Sequence, residues 1–440
     1  MTDLNGLNYT AQQRADLYSE IASGAETGWD FTSRFSKDPF ATVGNTTNLQ
    51  PLMRALNVRG TAPVDLNSIL YDAFIQLAHL YDISIGTSSA ASVTTSPPTF
   101  ADSLGTNMAK RGEPFQAERI TQQAAFAANQ HRANAALRKA AILDLMWDSQ
   151  KMAFYDFNLT SNARGTFFSA AHFYPMWLDI WPDEVARGGS GAEQVAQKMF
   201  APVGLVLSRY NGTFPSTFLK TGAQWDFPNA WPPHLYIIIK GLANIPSNLS
   251  TQAYPRLGSE TTSFSLLPPG QLGLSESQLT LQPLASGQSA STDINYDVSG
   301  TWSSGGTPRS GETWSQALIR GMANRYIGSV FCSWYSTGGS IPGLLNQLTS
   351  RELQATFSTP ESTGHMYEKF NALDGDSAES GGEHTVQDGF GWTNGVALWV
   401  ASKYGTILDA PKCPTIDITP VPLATRGLGK RSTRFIGKRV

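Results

Sequence analysis

Residues 117–146 contain neither proline nor glycine and are rich in Ala, Leu and Arg, which are strong helix formers. A stretch of that length exceeds any ordinary strand, so it predicts a long helix that must find partners to pack against. Residues 66–81 repeat the signal differently. Leu66, Ile69, Leu70, Ala73, Phe74 and Leu77 recur at a spacing near 3.6, the mark of one apolar helix face. Residues 191–200, 313–335, 341–353 and 396–407 also read as helices. Strand patterns are sparse, and only 152–160 alternates well enough for a short hairpin arm. The chain is therefore expected to be all-α, with helix pairs joined by long, chemically loaded loops.

Two stretches interrupt this pattern. Residues 87–98 are rich in Ser, Thr and Ala and close on Ser96-Pro97-Pro98. Residues 246–308 are rich in Ser, Gly, Thr, Leu and Pro, with few charges. Both read as insertions, the second either disordered or packed as an extended arm. The expected division is one catalytic domain over 1–410, carrying both insertions, and a basic, disordered tail over 411–440.

Hydrophobic residues make up 41% of the chain and charged ones 15%, enough to bury a large core. The net charge of −3 gives no electrostatic case for nucleic acid or an anionic membrane. No run is long and apolar enough to span a bilayer. Cys332 and Cys413 offer no metal-ligand spacing; they either form one bridge or stay as buried thiols. Sequons at Asn8, Asn45, Asn158, Asn211 and Asn248 lean weakly toward secretion.

The chemistry concentrates in four motifs. Residues 224–233 read Q-W-D-F-P-N-A-W-P-P, a loop stiffened by proline. Trp225 and Trp231 offer flat apolar faces, and Gln224, Asp226 and Asn229 offer directional hydrogen bonds, a mixture suited to a pyranose. In A-E-T-G-W-D-F-T-S-R-F, residues 25–35, Asp30 lies between aromatics that would favour a protonated acid. The alternative is that Asp30 caps a helix or pairs with Arg34. In Tyr367-Glu368-Lys369-Phe370, Glu368 is either a base that activates water or an exposed acid beside an exposed lysine. Residues 381–396, G-G-E-H-T-V-Q-D-G-F-G-W-T-N-G-V, place Glu383, Gln387 and Trp392 where they could meet sugar, ahead of a helix capped by Thr393 or Asn394. Glycosidic hydrolysis needs one protonated carboxyl and one carboxylate, and Asp30 and Glu368 fill those roles.

Taken together and in this order, the motifs resemble those of the trehalase family of glycoside hydrolases. The likeness runs from about residue 7 to about 407 outside the insertions, with lesser echoes at Val64-Asp65-Leu66-Asn67, Leu145-Met146-Trp147-Asp148 and Phe173-Tyr174-Pro175-Met176-Trp177. It implies an (α/α)6 toroid-type barrel with the site among loops at one end. It implies hydrolysis of α,α-trehalose to two glucose molecules with inversion, Asp30 as general acid and Glu368 as general base. Gly28, Gln224, Trp225 and Glu383 would be substrate contacts. No metal and no cofactor are implied. The expected partner is the disaccharide alone, with no nucleic acid or membrane and a monomeric chain.

The family's upstream P-G-G-R-F, R-S-Q and R-P-E segments have no counterpart here. The barrel is therefore expected to be incomplete on its N-terminal side, leaving apolar helix faces open. The chain alone is expected to be poorly soluble and weakly active at best. The alternatives are a sugar-binding remnant or an inverting α-glucan hydrolase on the same barrel. A secreted, vacuolar or cell-wall location is expected.

Overall fold

The computed structural model describes residues 9–40, 43, 48–86, 114–257, 261–283, 292–295, 309–356, 358, 361–374, 389–414 and 416. Helix dominates, and every strand described is two residues long. The all-α expectation holds. The periodic stretch near 66–81 forms the helix Val64–Ser84, which follows Pro63 and carries Asp65 in its first turn. The Ala-rich stretch forms Pro114–Ala141 and then loosens into a π turn, Ile142–Met146. These two helices lie antiparallel. Arg138 reaches Asn67 at one end, and His131 stacks on Phe74 and Tyr81 towards the other, at 5.8 and 5.6 Å. Among the described residues nothing covers their far side, where Leu66, Ile69, Leu77, Leu80, Phe126 and Leu137 are exposed.

The core centres on Pro232–Ala243, which packs against Tyr174–Trp177, Trp314–Ser336 and Gly391–Tyr404. Leu235, Ile237, Ile238 and Ile239 are buried in it. A ring cluster extends this core, with Phe173 lying 5.5 Å from Phe200 and 5.4 Å from Phe214. Trp314–Ser336 starts where expected, because Thr313 and Gln316 close a capping box.

Two expectations need correction, and a third, left between two alternatives, is decided. Only Ser350–Ala355 is helical within the stretch predicted as 341–353. Pro342 disfavours helix at Ile341, and Gly343 turns left-handed (φ +76°), so Ile341 and Leu345 bridge each other in a loop. The last long helix begins at Gly391 after Phe390, so neither Thr393 nor Asn394 is its cap. The described part of 246–308 is packed: Leu267, Leu272, Leu274 and Leu279 are buried, and Arg209 pairs with Glu276. Residues 87–98 and 417–440 lie outside the described residues.

The segment 147–164 forms two small antiparallel ladders, Trp147–Asp148 with Ala153–Phe154 and Thr61–Ala62 with Phe157–Asn158 and Ala163–Arg164. The cysteines are joined, Cys332 to Cys413, which ties residues beyond the last helix back to Trp314–Ser336. Among the described residues no helix is long and apolar enough to cross a membrane.

Candidate active site

The loop 224–231 is anchored from within by Asp226. This carboxylate is fully buried and accepts five hydrogen bonds. They come from the hydroxyls of Thr32 (2.8 Å), Ser33 (2.9 Å), Thr217 (3.0 Å) and Thr221 (2.5 Å), and from the Ser33 amide (2.8 Å). Burial pushes its pKa up, and the donors from Thr221, Ser33 and Thr32 pull against that shift. With every approach filled by protein donors, Asp226 is scaffold. Its hold on Thr32 and Ser33 fastens the loop to the segment that carries Asp30.

That segment leaves the helix Ala11–Glu26 through Gly28, which is exposed and left-handed (φ +77°). Trp29 turns inward, 4.6 Å from the His234 ring and 5.3 Å from Trp225. Asp30 is half-buried, and its backbone oxygen accepts the Gln224 carboxamide N–H. The next carbonyl, that of Phe31, accepts the Trp225 amide at 3.1 Å.

The two alternatives for Asp30 are set aside by where other residues go. The cap of the following turn, Ser33–Phe35, is Thr32. Arg34 is fully occupied elsewhere, donating twice to Asp65 and twice to Asp156, all at 2.7 Å. Its guanidinium also lies 4.4 Å from the Trp29 ring and 4.8 Å from Phe35. Burial works against its charge, but Asp156 and Asp65 outweigh burial and push its pKa up.

The Glu368 segment docks on the opposite end of the same loop. Phe370–Asn371 pairs antiparallel with Asn229–Ala230. Gly212 allows the turn after Ala201–Arg209 to press on this ladder; a Cβ there would lie 2.1 Å from the Asn371 carbonyl oxygen. The helix Gly391–Tyr404 holds the segment from its other side. The Trp392 indole donates to the Glu368 carbonyl at 2.8 Å, and the Thr393 hydroxyl to that of Tyr367 at 2.7 Å. Lys369 is 1% exposed, so the reading of an exposed acid beside an exposed lysine fails. Glu368 itself is half-buried.

The structure thus seats Asp30 and Glu368, 368 − 30 = 338 positions apart, on segments fixed to one loop. The aromatic rings are used differently from expectation. Trp225 and Trp231 stack on each other at 3.9 Å and 3°, and Trp392 meets the edge of Trp231 at 5.5 Å. Among the described residues the Trp225 indole N–H is buried without a hydrogen-bond partner. Glu383 and Gln387 lie outside the described residues. Among the described residues no cluster of His, Cys, Asp and Glu could hold a metal ion.

Arg34, Asp65, Asp156 and His234 were not singled out as a group from sequence. Arg34 stands inside the Asp30 motif and Asp65 inside Val64-Asp65-Leu66-Asn67, so the signal was present, but not the pairing. Burial lowers the His234 pKa to about 3, which keeps a neutral ring beneath Trp29 and Trp225.

A helical scaffold thus brings two carboxylate-bearing segments to one tryptophan-rich, proline-stiffened loop, and a pair of carboxyls is what glycosidic hydrolysis requires. The comparison with known families makes this specific: the family model described as Trehalase matches residues 3–257 and 339–405. The chain belongs to the trehalase family. It is similar to the trehalase of Bombyx mori, 24% identical over 395 residues, covering 89% of this chain and 44% of that one. Against the trehalase of Homo sapiens the values are 22% over 394 residues, 89% and 42%. Against the periplasmic trehalase of Xanthomonas oryzae pv. oryzae they are 23% over 391 residues, 89% and 41%. Among solved structures, neutral trehalase Nth1 from Saccharomyces cerevisiae aligns with a TM-score of 0.29 at 19% identity, over 47% of this chain and 32% of that one. The chain spans less than half the length of these curated relatives.

Proposed function

We propose that this chain carries the acid and the base of α,α-trehalose hydrolysis with inversion. Asp30 gives its proton to the glycosidic oxygen as the C–O bond breaks. Glu368 takes a proton from the water whose oxygen bonds to the anomeric carbon from the opposite face. One α- and one β-glucose result, and the two carboxyls should stand roughly 6.5–9.5 Å apart around that water. The observation that carries this reading is the anchoring of both segments on the 224–231 loop. Gly28, the Trp225 indole and Glu383 are the substrate contacts in this reading.

The test is glucose release from trehalose by the purified chain, with the anomers followed by proton NMR in the first minutes. Asp30→Asn and Glu368→Gln should each lower turnover about 100- to 10,000-fold. Near-normal turnover in either variant overturns the role assignment. Absence of release from millimolar trehalose overturns the reading for this chain. Release from maltose or maltotriose but not trehalose replaces it with an α-glucan hydrolase.

The same reading extends to compartment. The Cys332–Cys413 disulfide, together with exposed sequon asparagines at Asn211 and Asn248, supports folding in an oxidising, secretory environment. A mass loss of the secreted protein on removal of N-glycans is the expected result, and its absence from both sites counts against that route.

A further inference from the structure

Gln224 is the residue whose side chain touches both halves of the site. Its Nε2 donates to the Asp30 carbonyl, and its Oε1 accepts from the Lys369 ammonium at 3.4 Å. Its own backbone oxygen is pinned by Asn229 Nδ2 (2.8 Å) and Trp231 Nε1 (3.1 Å). Lys369 in turn lies 5.1 Å from the centre of the Trp231 ring, and the residue before it is Glu368. The carboxamide therefore spans from the backbone of one catalytic carboxylate to the side chain adjoining the other.

We propose that Gln224 and Lys369 are a positioning pair that fixes the separation and aim of Asp30 and Glu368, with Gln224 acting through them rather than by gripping the sugar. This rests on the assignment of Asp30 as acid and Glu368 as base. Three features of the site argue for it. Both polar ends of the carboxamide are already engaged by protein atoms. Lys369 is buried and the Gln224 main chain is held at its carbonyl, so neither can follow a mobile ligand. An inverting site works only while a single water fits between its carboxylates, and misplacement by about 1 Å can cost on the order of 100-fold in rate. A tie this short between the two segments is the direct means of holding that gap.

The experiment measures kcat and KM for trehalose, and the affinity for glucose by calorimetry, in Gln224→Met, Lys369→Met and the double variant. Gln224→Glu is the milder companion, since it keeps the size and the contact to Lys369 but loses the donor to Asp30. Each single variant should lose about 10- to 100-fold in kcat, with KM and glucose affinity within about two-fold of the parent. The double variant should be no worse than the poorer single one, because either change breaks the same tie. A rise in KM and loss of glucose affinity at preserved kcat would make Gln224 a sugar ligand and overturn the proposal. So would multiplicative losses in the double variant. Should Gln224→Met fail to fold, Gln224→Glu decides alone: parental kcat overturns the proposal and a ten-fold fall supports it. Failure here is distinct from failure of the parent reading, which shows as trehalose turnover insensitive to Asp30→Asn and Glu368→Gln.

Discussion

Replacing Arg34 by methionine gives the sharpest test of how the acid segment is held. In the structure one guanidinium satisfies two carboxylates, Asp65 and Asp156, whose side chains are 10% and 13% exposed while its own is 2% exposed. Methionine fills similar space but leaves two buried carboxylates facing a thioether. Breaking one buried pair typically costs 3–5 kcal/mol. Two pairs sharing one cation do not double this, because the buried charge of Arg34 is removed as well. A loss of about 4–6 kcal/mol is expected at pH 7, a large part of the 5–15 kcal/mol usual for a folded domain. The pH dependence carries the sign. In the parent, burial acts to raise the Asp65 carboxyl, but Arg34 outweighs it and holds that pKa below its ordinary value. The parent therefore keeps this contribution down to about pH 4 and loses it only below. In the variant a proton must replace the guanidinium, so the folded state takes one up as pH falls from 7. The difference in stability between the two proteins should then shrink by about 1–2 kcal/mol between pH 7 and 5.5. Urea unfolding followed by tryptophan fluorescence at both pH values reads this directly. A difference below about 1 kcal/mol at pH 7, or one that grows on acidification, would refute the reasoning.

Acid should also destabilise the parent through its buried histidines. Burial lowers the pKa of His172 to about 4 and that of His234 to about 3. A depressed folded-state pKa gives stability that is complete above about pH 6.5 and lost below it. By pH 5 each ring should have given up about 2 kcal/mol, visible as a falling Tm in circular dichroism. Reduction of the Cys332–Cys413 bridge, which closes a sequence separation of 81, should lower stability by about 2–4 kcal/mol. Cys413→Ser should match the reduced protein, and an unchanged unfolding midpoint in both would contradict the tie. Asp226→Ala leaves five donors without an acceptor, at about 1–3 kcal/mol for each that cannot turn elsewhere. It should therefore unfold the acid segment before it affects chemistry, seen as loss of the cooperative transition.

What could be read from the sequence follows from which forces are local. Val64–Ser84 and Trp314–Ser336 were legible because their apolar spacing, and at Thr313 the capping box, lie within a few residues. Ala11–Glu26 carries an equally local signal, the reciprocal bonds of Thr10 and Gln13, and could have been found from it. Pro232–Ala243 is harder to see. It is buried nearly all round, so it shows a run of Leu and Ile with no polar face to mark its period. The stretch 341–353 failed for the converse reason: its composition suits a helix, but Pro342 and Gly343 override it. The motifs pointed to the site's residues, yet the bonds that hold them are long-range. Arg34 reaches across 31 positions to Asp65 and 122 to Asp156, and Asp226 across 194 to Thr32.

The same distinction changes what the tryptophan-rich loop is for. Two indoles beside a carboxylate and two amides read locally as a platform for a pyranose. In the fold, Trp225 and Trp231 lie face to face at 3.9 Å, too close for a sugar ring to enter between them. Asp226 is spent on five internal donors, and both ends of the Gln224 carboxamide are engaged. Among the described residues the Trp225 N–H has no partner, at a place where the backbones of residues 30 and 31 are already fixed. Proline suits such a part: Pro228, Pro232 and Pro233 remove backbone freedom from a segment whose two ends must keep a constant distance. The loop's composition is that of a rigid spacer between the segments that carry Asp30 and Glu368, and its sugar-like chemistry is largely turned inward to make it rigid.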